Sequence, residues 1–409
     1  MFFAIKIDGY YLSTEKTYIT FNVLPDYNWI IKNDLLTYNG SLLIYNNGYI
    51  KLDTYNISKL DTQVCKIEYK SNKLLLRNNN SYIGRKFCTL NYKQDYDNTC
   101  LCTIHPFKTK LGICHWSSLY NFNNDLLIRG TNKIKSMNCD YIKLYIGRKS
   151  IKTYNLSNIE KDSNLSQLIN HPSYKFAINN FSTIVFIALS TVGNNSKYWR
   201  YKYTTKDAHD EYNEMYKFCY RLSLDYPNKN FIIQNWESDW CITDKKGIDY
   251  TDNMIRWLNT RGDAVRACGS DNLKYAVEVN HVKKTLLLNQ QSALTKLFPA
   301  VKVDYISYSA YDSQFDHLED CINLIKKYND DVYIGEFGVD QNICHDKDVE
   351  TLIKHVNEIA SKTKCSMAFI WQLYNNERGK MFGLYDNKDT LTSAGTHFIN
   401  NNTLKNITL

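Results

Sequence analysis

Two glutamates close short apolar runs in the second half of the chain. Glu237 ends the segment FIIQNWE (231–237) and Glu336 sits within VYIGEFG (332–338). Gly335 and Gly338 clear space around Glu336 and let the backbone turn sharply where an extended run stops. A carboxylate with that access can reach a substrate carbon. Around Glu237 stand Trp236 and Trp240, whose indole faces suit the apolar surface of a sugar ring. Alternation puts Asn235 on the same side as Glu237 if the strand runs that far. Two carboxylates facing one pocket are the usual equipment for breaking a glycosidic bond.

Something must hold the two acids opposite each other. Eight apolar runs fit strands: Gly112–Ser117, Tyr141–Gly147, Thr183–Ser190, Phe231–Asn235, Tyr275–Asn280, Val303–Ser309, Val332–Glu336 and Met367–Leu373. Helix-like patterns lie between them. Tyr212, Met215, Cys219 and Leu222 keep helical spacing, as do Leu318, Cys321, Ile322 and Ile325. Val349, Leu352, Ile353, Val356 and Ile359 follow, with Asp348 and Glu350 in a first turn where acids suit the helix dipole. Strand–helix alternation of this kind predicts an α/β fold, a closed (β/α)8 TIM barrel over about 106–409, with active residues at the C-terminal strand ends.

Residues 1–105 have another texture. Short alternating runs are separated by Asp-Gly, Asn-Gly and Asn-Asn turns, which predicts a small all-β module: a trefoil, a barrel or a sandwich. The chain has 409 residues, 44% of them hydrophobic, and a net charge of +8 with no block of like charges. A solvated surface is the expectation, with no nucleic-acid partner. The twelve cysteines lack metal-ligand spacing, and no Gly-rich phosphate loop follows a strand, so neither metal nor cofactor is expected. No apolar run after Met1 is long enough for a leader and none spans a membrane. A reducing cytoplasmic setting is the expectation, with non-standard secretion left open.

The Asn235/Glu237 ending of strand four and the G-E-F-G setting of Glu336 on strand seven resemble the clan A, or "4/7", retaining glycoside hydrolases over about 108–409. The resemblance implies Glu237 as acid/base and Glu336 as nucleophile. It also implies an arginine at the end of strand two, a tyrosine near the end of strand six that hydrogen-bonds the nucleophile, and a tryptophan on strand eight in the sugar subsite. Arg148, Tyr308 or Tyr311, and Trp371 occupy those places. One departure stands: the family's Asn and Glu are adjacent, whereas Trp236 intervenes here. The opening FAIKIDGYYLSTEK is similar to β-trefoil modules of the ricin or fascin type.

Glu278, between two valines, points into the barrel or toward a helix, and neither is cheap without a partner. With Asn280 on its face it is expected to line the pocket floor, where it could bind a sugar hydroxyl, raise a neighbour's pKa by like-charge repulsion, or replace Glu237 as the acid. His115 and Trp116 are candidates for sugar contact, Asp239 and Glu377 are loop acids, and Asp304 lies toward the barrel bottom. The expected function is a retaining hydrolase of a β-linked oligo- or polysaccharide. The alternative is a carbohydrate-binding or structural protein that kept the cleft and lost turnover. A metal-dependent barrel of the enolase kind lacks a carboxylate after Ala188-Leu189-Ser190.

Overall fold

The computed structural model describes residues 108–403 apart from 121, 123, 124, 194 and 196, and, as backbone only, the strands between Phe2 and Pro106. The chain divides into two compact units, Met1–Lys108 and Thr109–Leu409. In the first, twelve strands pair into one sheet, and Phe2–Ile7 lies antiparallel to Leu101–Pro106. Its side chains lie outside the described residues.

The second unit is a closed barrel of eight parallel strands. They are β1 (Lys110–His115), β2 (Tyr141–Ile146), β3 (Thr183–Ala188), β4 (Asn230–Gln234), β5 (Leu273–Val279), β6 (Tyr305–Ser309), β7 (Val332–Phe337) and β8 (Met367–Ile370). Closure is made by β1 against β8, from Lys110 opposite Met367 to Ile113 opposite Ile370. The fold expected from strand–helix alternation is the one observed. Six strands, β1 to β5 and β8, stop earlier than expected; β4 ends at Gln234, and β8 at Ile370, one residue before the cis peptide joining Trp371 and Gln372. Asn235, Trp236, Glu237 and Trp371 therefore extend past the strands into the loops that carry function in this architecture.

Strands buried on both faces read as continuous apolar runs. One face of the sheet lines the barrel interior, where Cys114, Val185, Ile232, Ala276, Tyr333, Met367 and Phe369 pack together. The other meets the helices, in a larger core that takes in Val277, Val279, Tyr308 and Ile334. In the helix Thr205–Asp225, Met215, Phe218, Cys219 and Leu222 are buried, and Thr204 and Asp207 cap its start reciprocally. The helices Leu318–Ile325 and Asp346–Lys362 bury the stripes their spacing predicts. Among the described residues, no helix is long and apolar enough to cross a membrane. The eight described cysteines are free thiols.

Candidate active site

Glu336 owes its orientation to an irregularity in β7. Tyr308 faces Ile334 across the ladder, but the next pair is Ser309 with Glu336, so one residue is gained on β7. Without that shift Glu336 would follow Ile334 onto the helix-facing side; the bulge turns its carboxylate to the barrel mouth. Gly335 is the residue gained. A Cβ there would lie 2.0 Å from Ser307 Oγ and 2.4 Å from Glu278 Oε1, so only glycine lets this cluster close. Gly335→Ala is expected to lower stability by about 1–3 kcal/mol through overpacking. An unchanged denaturation midpoint would show that the cluster has room for a methyl group.

Beneath Glu336 lies Lys143, on β2, with a side chain only 1% exposed. Its ammonium has three protons and three acceptors: Glu278 Oε1 at 2.6 Å, Glu336 Oε1 at 3.0 Å and Gly335 O at 3.1 Å. Burial alone would lower its pKa, but Glu278 and Glu336 hold it well above the ordinary lysine range, so it stays charged. Ser307 Oγ donates to Glu278 Oε1 at 2.9 Å, and Glu278 Oε2 has no partner. One ammonium thus serves two buried carboxylates. For Glu336, burial raises the carboxyl pKa, Lys143 opposes it, and the charges of Glu278 and Glu237 add to the rise.

Glu237 stands across the mouth in the loop after β4. Ser309 Oγ, from β6, donates to its Oε1 at 2.6 Å. Its pKa is raised to about 7, first by burial and then by the negative charge of Glu278. The loop is anchored behind it. Asn235 Nδ2 donates to Trp236 O at 2.8 Å and Ser238 Oγ at 2.9 Å, while its Oδ1 accepts from Glu278 N at 3.3 Å.

Both acids line a cleft of about 810 Å³ with Trp116, Trp236, Trp240, Tyr311 and Trp371. Trp371 and Trp116 meet at 6.2 Å between centroids, tilted by 50°. Asn280 also faces the cleft: with its amide nitrogen toward Asp239 Oδ2 (2.9 Å), its oxygen accepts from Trp240 Nε1 (2.7 Å). Asp239 is a clamp, accepting from the backbone N–H groups of Asn280, His281 and Ala293. Glu377 lines the rim, bonded to Lys380 at 2.9 Å.

Four expected positions are placed differently. Arg148 is exposed and donates to Gly193 O; the cation beside Glu336 is Lys143, inside the strand and not at its end. Tyr308 lies on the helix side, its hydroxyl bonded to Asp312 and Ser313, because alternation leaves Ser307 and Ser309 facing inward. Glu278 is fully buried below the floor and does not line the cleft. Asn235 is tied to its own loop. His115 is structural: buried, bonded to Leu126 O, and lowered by burial to a pKa of about 4. Asp304 accepts from Tyr275 N at the barrel bottom, as its position suggested. Lys143, Ser307 and Ser309 were missed. The signal for Lys143 was the one that marked Glu278, a charge flanked by apolar residues inside a strand.

No family model matches the sequence, and no curated protein matches it. Among solved structures, the β-glycosidase from the hyperthermophile Thermosphaera aggregans is similar over 73% of this chain and 96% of its own, with a TM-score of 0.52 and 10% identity. The likeness is one of fold. A β-glucosidase from Thermotoga maritima is similar over 73% of this chain and 99% of its own, with a TM-score of 0.46 and 12% identity. The (β/α)8 barrel that the clan A resemblance implied is therefore also the barrel of a solved β-glycosidase. Among the described residues, no group of three or more histidine, cysteine or acidic side chains is placed to hold a metal ion. What the cleft does offer is two acids of different surroundings, one touching a buried ammonium and one touching a hydroxyl, framed by indole faces.

Proposed function

We propose that the protein is a retaining glycoside hydrolase acting on a β-linked glycan. The observation that supports it most is the bulge that turns Glu336 out of the ladder, onto Lys143 and into an aromatic cleft shared with Glu237. Burial raises both carboxyl pKa values, that of Glu237 to about 7 and that of Glu336 to about 8, so titration order does not choose between them. The choice rests on contact: of the two only Glu336 touches the Lys143 ammonium, which favours its ionised form directly, while Glu237 meets a hydroxyl. Glu237 Oε protonates the leaving oxygen while Glu336 Oε attacks the anomeric carbon. Water, deprotonated by Glu237, then cleaves the glycosyl ester. Trp371, beside Glu336, gives the attacked sugar an apolar floor.

In this reading the general acid sets the alkaline limb. Glu237 must be protonated in the first step, so kcat/KM falls as pH rises through about 7. Glu237→Ala should lose that limb, and azide should restore turnover of substrates with good leaving groups by attacking the glycosyl-enzyme. Rescue of Glu278→Ala in place of Glu237→Ala would move the acid to β5. A panel of aryl β-glycosides and β-glucans, read by released reducing sugar, tests the activity itself; no release from any member removes it.

We also infer a β-trefoil arrangement for the N-terminal unit. In support, Phe2–Ile7, Trp29–Lys32, Leu35–Tyr38, Cys65–Lys70, Lys73–Asn78 and Leu101–Pro106 pair successively into a ring. Three hairpins complete the twelve strands. Glycan binding by this unit would be read from affinity for polysaccharide with and without it.

A further inference from the structure

Beside the cleft, behind the wall made by Trp116 and Trp236, lies a second cavity of about 260 Å³. Its lining is mostly apolar: besides those two indoles it has Tyr145, Trp199, Met254 and Trp257, and Lys149 and Lys197 also border it. Trp199 and Trp257 stack at 5.2 Å and 17°. Their positions are fixed from behind. The Arg261 guanidinium lies 4.7 Å from the Trp257 ring centroid and is itself bonded to Glu211 at 2.7 Å, and Lys197 Nζ is 5.5 Å from the Trp236 ring. Trp116 stacks on Tyr145 at 4.5 Å. These side chains form a standing pocket.

Its polar inventory decides what can enter. Asn235 borders the cavity, but its amide is already bonded on both sides. Lys149 and Lys197 bring ammonium donors, and Lys197 Nζ already donates to Trp240 O at 3.4 Å. A sugar ring brings several hydroxyls that need acceptors as well as donors, and burying them here would leave most unmet. An apolar ring or short acyl chain with one acceptor oxygen suits an aromatic box bordered by the donors of Lys149 and Lys197. A cavity of about 150 Å³ takes benzene, so one of about 260 Å³ has room for a two-ring aromatic.

We propose that this cavity is a subsite for an apolar aryl or acyl group carried by the glycoside whose sugar occupies the main cleft. The proposal rests on the hydrolase reading for the sugar and on the cavity alone for the apolar group. The group could be the leaving group on the anomeric oxygen or an ester on a ring hydroxyl of the retained sugar; both present a flat or flexible apolar body and one acceptor oxygen.

The test uses equilibrium binding to the full-length Glu336→Gln protein, so it does not depend on turnover. Leu189 borders the cavity from the loop after β3 and is half-buried, so Leu189→Phe fills the space and Leu189→Ala enlarges it. Titration calorimetry with 2-naphthol should show saturable binding, weakened at least tenfold by Leu189→Phe and kept by Leu189→Ala. A 2-naphthyl β-glycoside and a ring-acylated methyl β-glycoside are each compared with the plain methyl glycoside. A tenfold or larger gain in one series, lost in Leu189→Phe, supports the subsite and says which side of the scissile bond it serves. Absence of naphthol binding, or equal binding to Leu189→Phe, overturns the pocket. Naphthol binding with no gain in either series overturns its link to the glycoside. Failure of the wild-type protein to hydrolyse any glycoside bears on the hydrolase reading and leaves these outcomes legible.

Discussion

Glu336→Gln is expected to cut turnover by roughly 10³-fold or more while the protein stays folded. Removing a covalent nucleophile leaves only the binding and electrostatic part of catalysis. The amide has nearly the shape of the carboxylate, and its oxygen can still accept from Lys143 Nζ, 3.0 Å from the parent oxygen. Lys143 keeps Glu278 as its counter-ion at 2.6 Å, so the buried charge is not orphaned. Thermal unfolding close to the parent's with turnover lost is the expected pair of results. Turnover within tenfold of the parent would remove Glu336 from the chemistry.

Lys143→Met has the second large effect, and it falls on stability and pH dependence together. Breaking a buried ion pair by deleting one partner costs about 3–5 kcal/mol, because the remaining charge is left in a medium that solvates it poorly. Here two carboxylates, Glu278 and Glu336, lose the cation they share. Glu336, whose carboxyl pKa burial already raises, would then hold its proton in the folded state at a pH where the unfolded chain has released it. The folded variant binds more protons than the unfolded one, so its stability falls as pH rises from the ordinary glutamate range. The loss should be small near pH 4.5 and full by pH 8, read from urea midpoints at the two pH values. An equal loss at both would mean that Lys143 acts by packing alone. The acid limb of kcat/KM should also move to higher pH, since Glu336 no longer has its ammonium. Adding Glu278→Gln, which neutralises the second acid, should recover part of the stability.

The barrel was legible because strands buried on both faces write themselves as apolar runs, and helix stripes such as Leu318, Cys321, Ile322 and Ile325 keep their spacing. Glu336 was legible through Gly335 and Gly338. The role of Gly335 went further than access, since its missing Cβ makes room for Ser307 and Glu278. Tyr308 was misplaced for want of strict alternation: Ser307 and Ser309 take the inner face, and a tyrosine between them must take the outer one. Arg148 stands just past a strand end, where function concentrates, yet the cation that touches Glu336 comes from within β2. The aromatic side cavity could not be read at all. Trp199 and Trp257 stand in separate helical segments, and only their packing onto the loops after β3 and β4 brings them to Trp236.

The central claim is that Glu336 forms the covalent bond to the sugar. It is tested most directly by incubating the protein with a panel of 2-deoxy-2-fluoro β-glycosides bearing good leaving groups, then mapping any adduct by peptide mass spectrometry. The fluorine slows release of the glycosyl-enzyme more than its formation, so the intermediate accumulates. A mass gain of one fluoroglycosyl unit, located on Glu336, is the expected result. An adduct on Glu278 or Glu237, or hydrolysis of the parent glycosides with no adduct from any member of the panel, would contradict it.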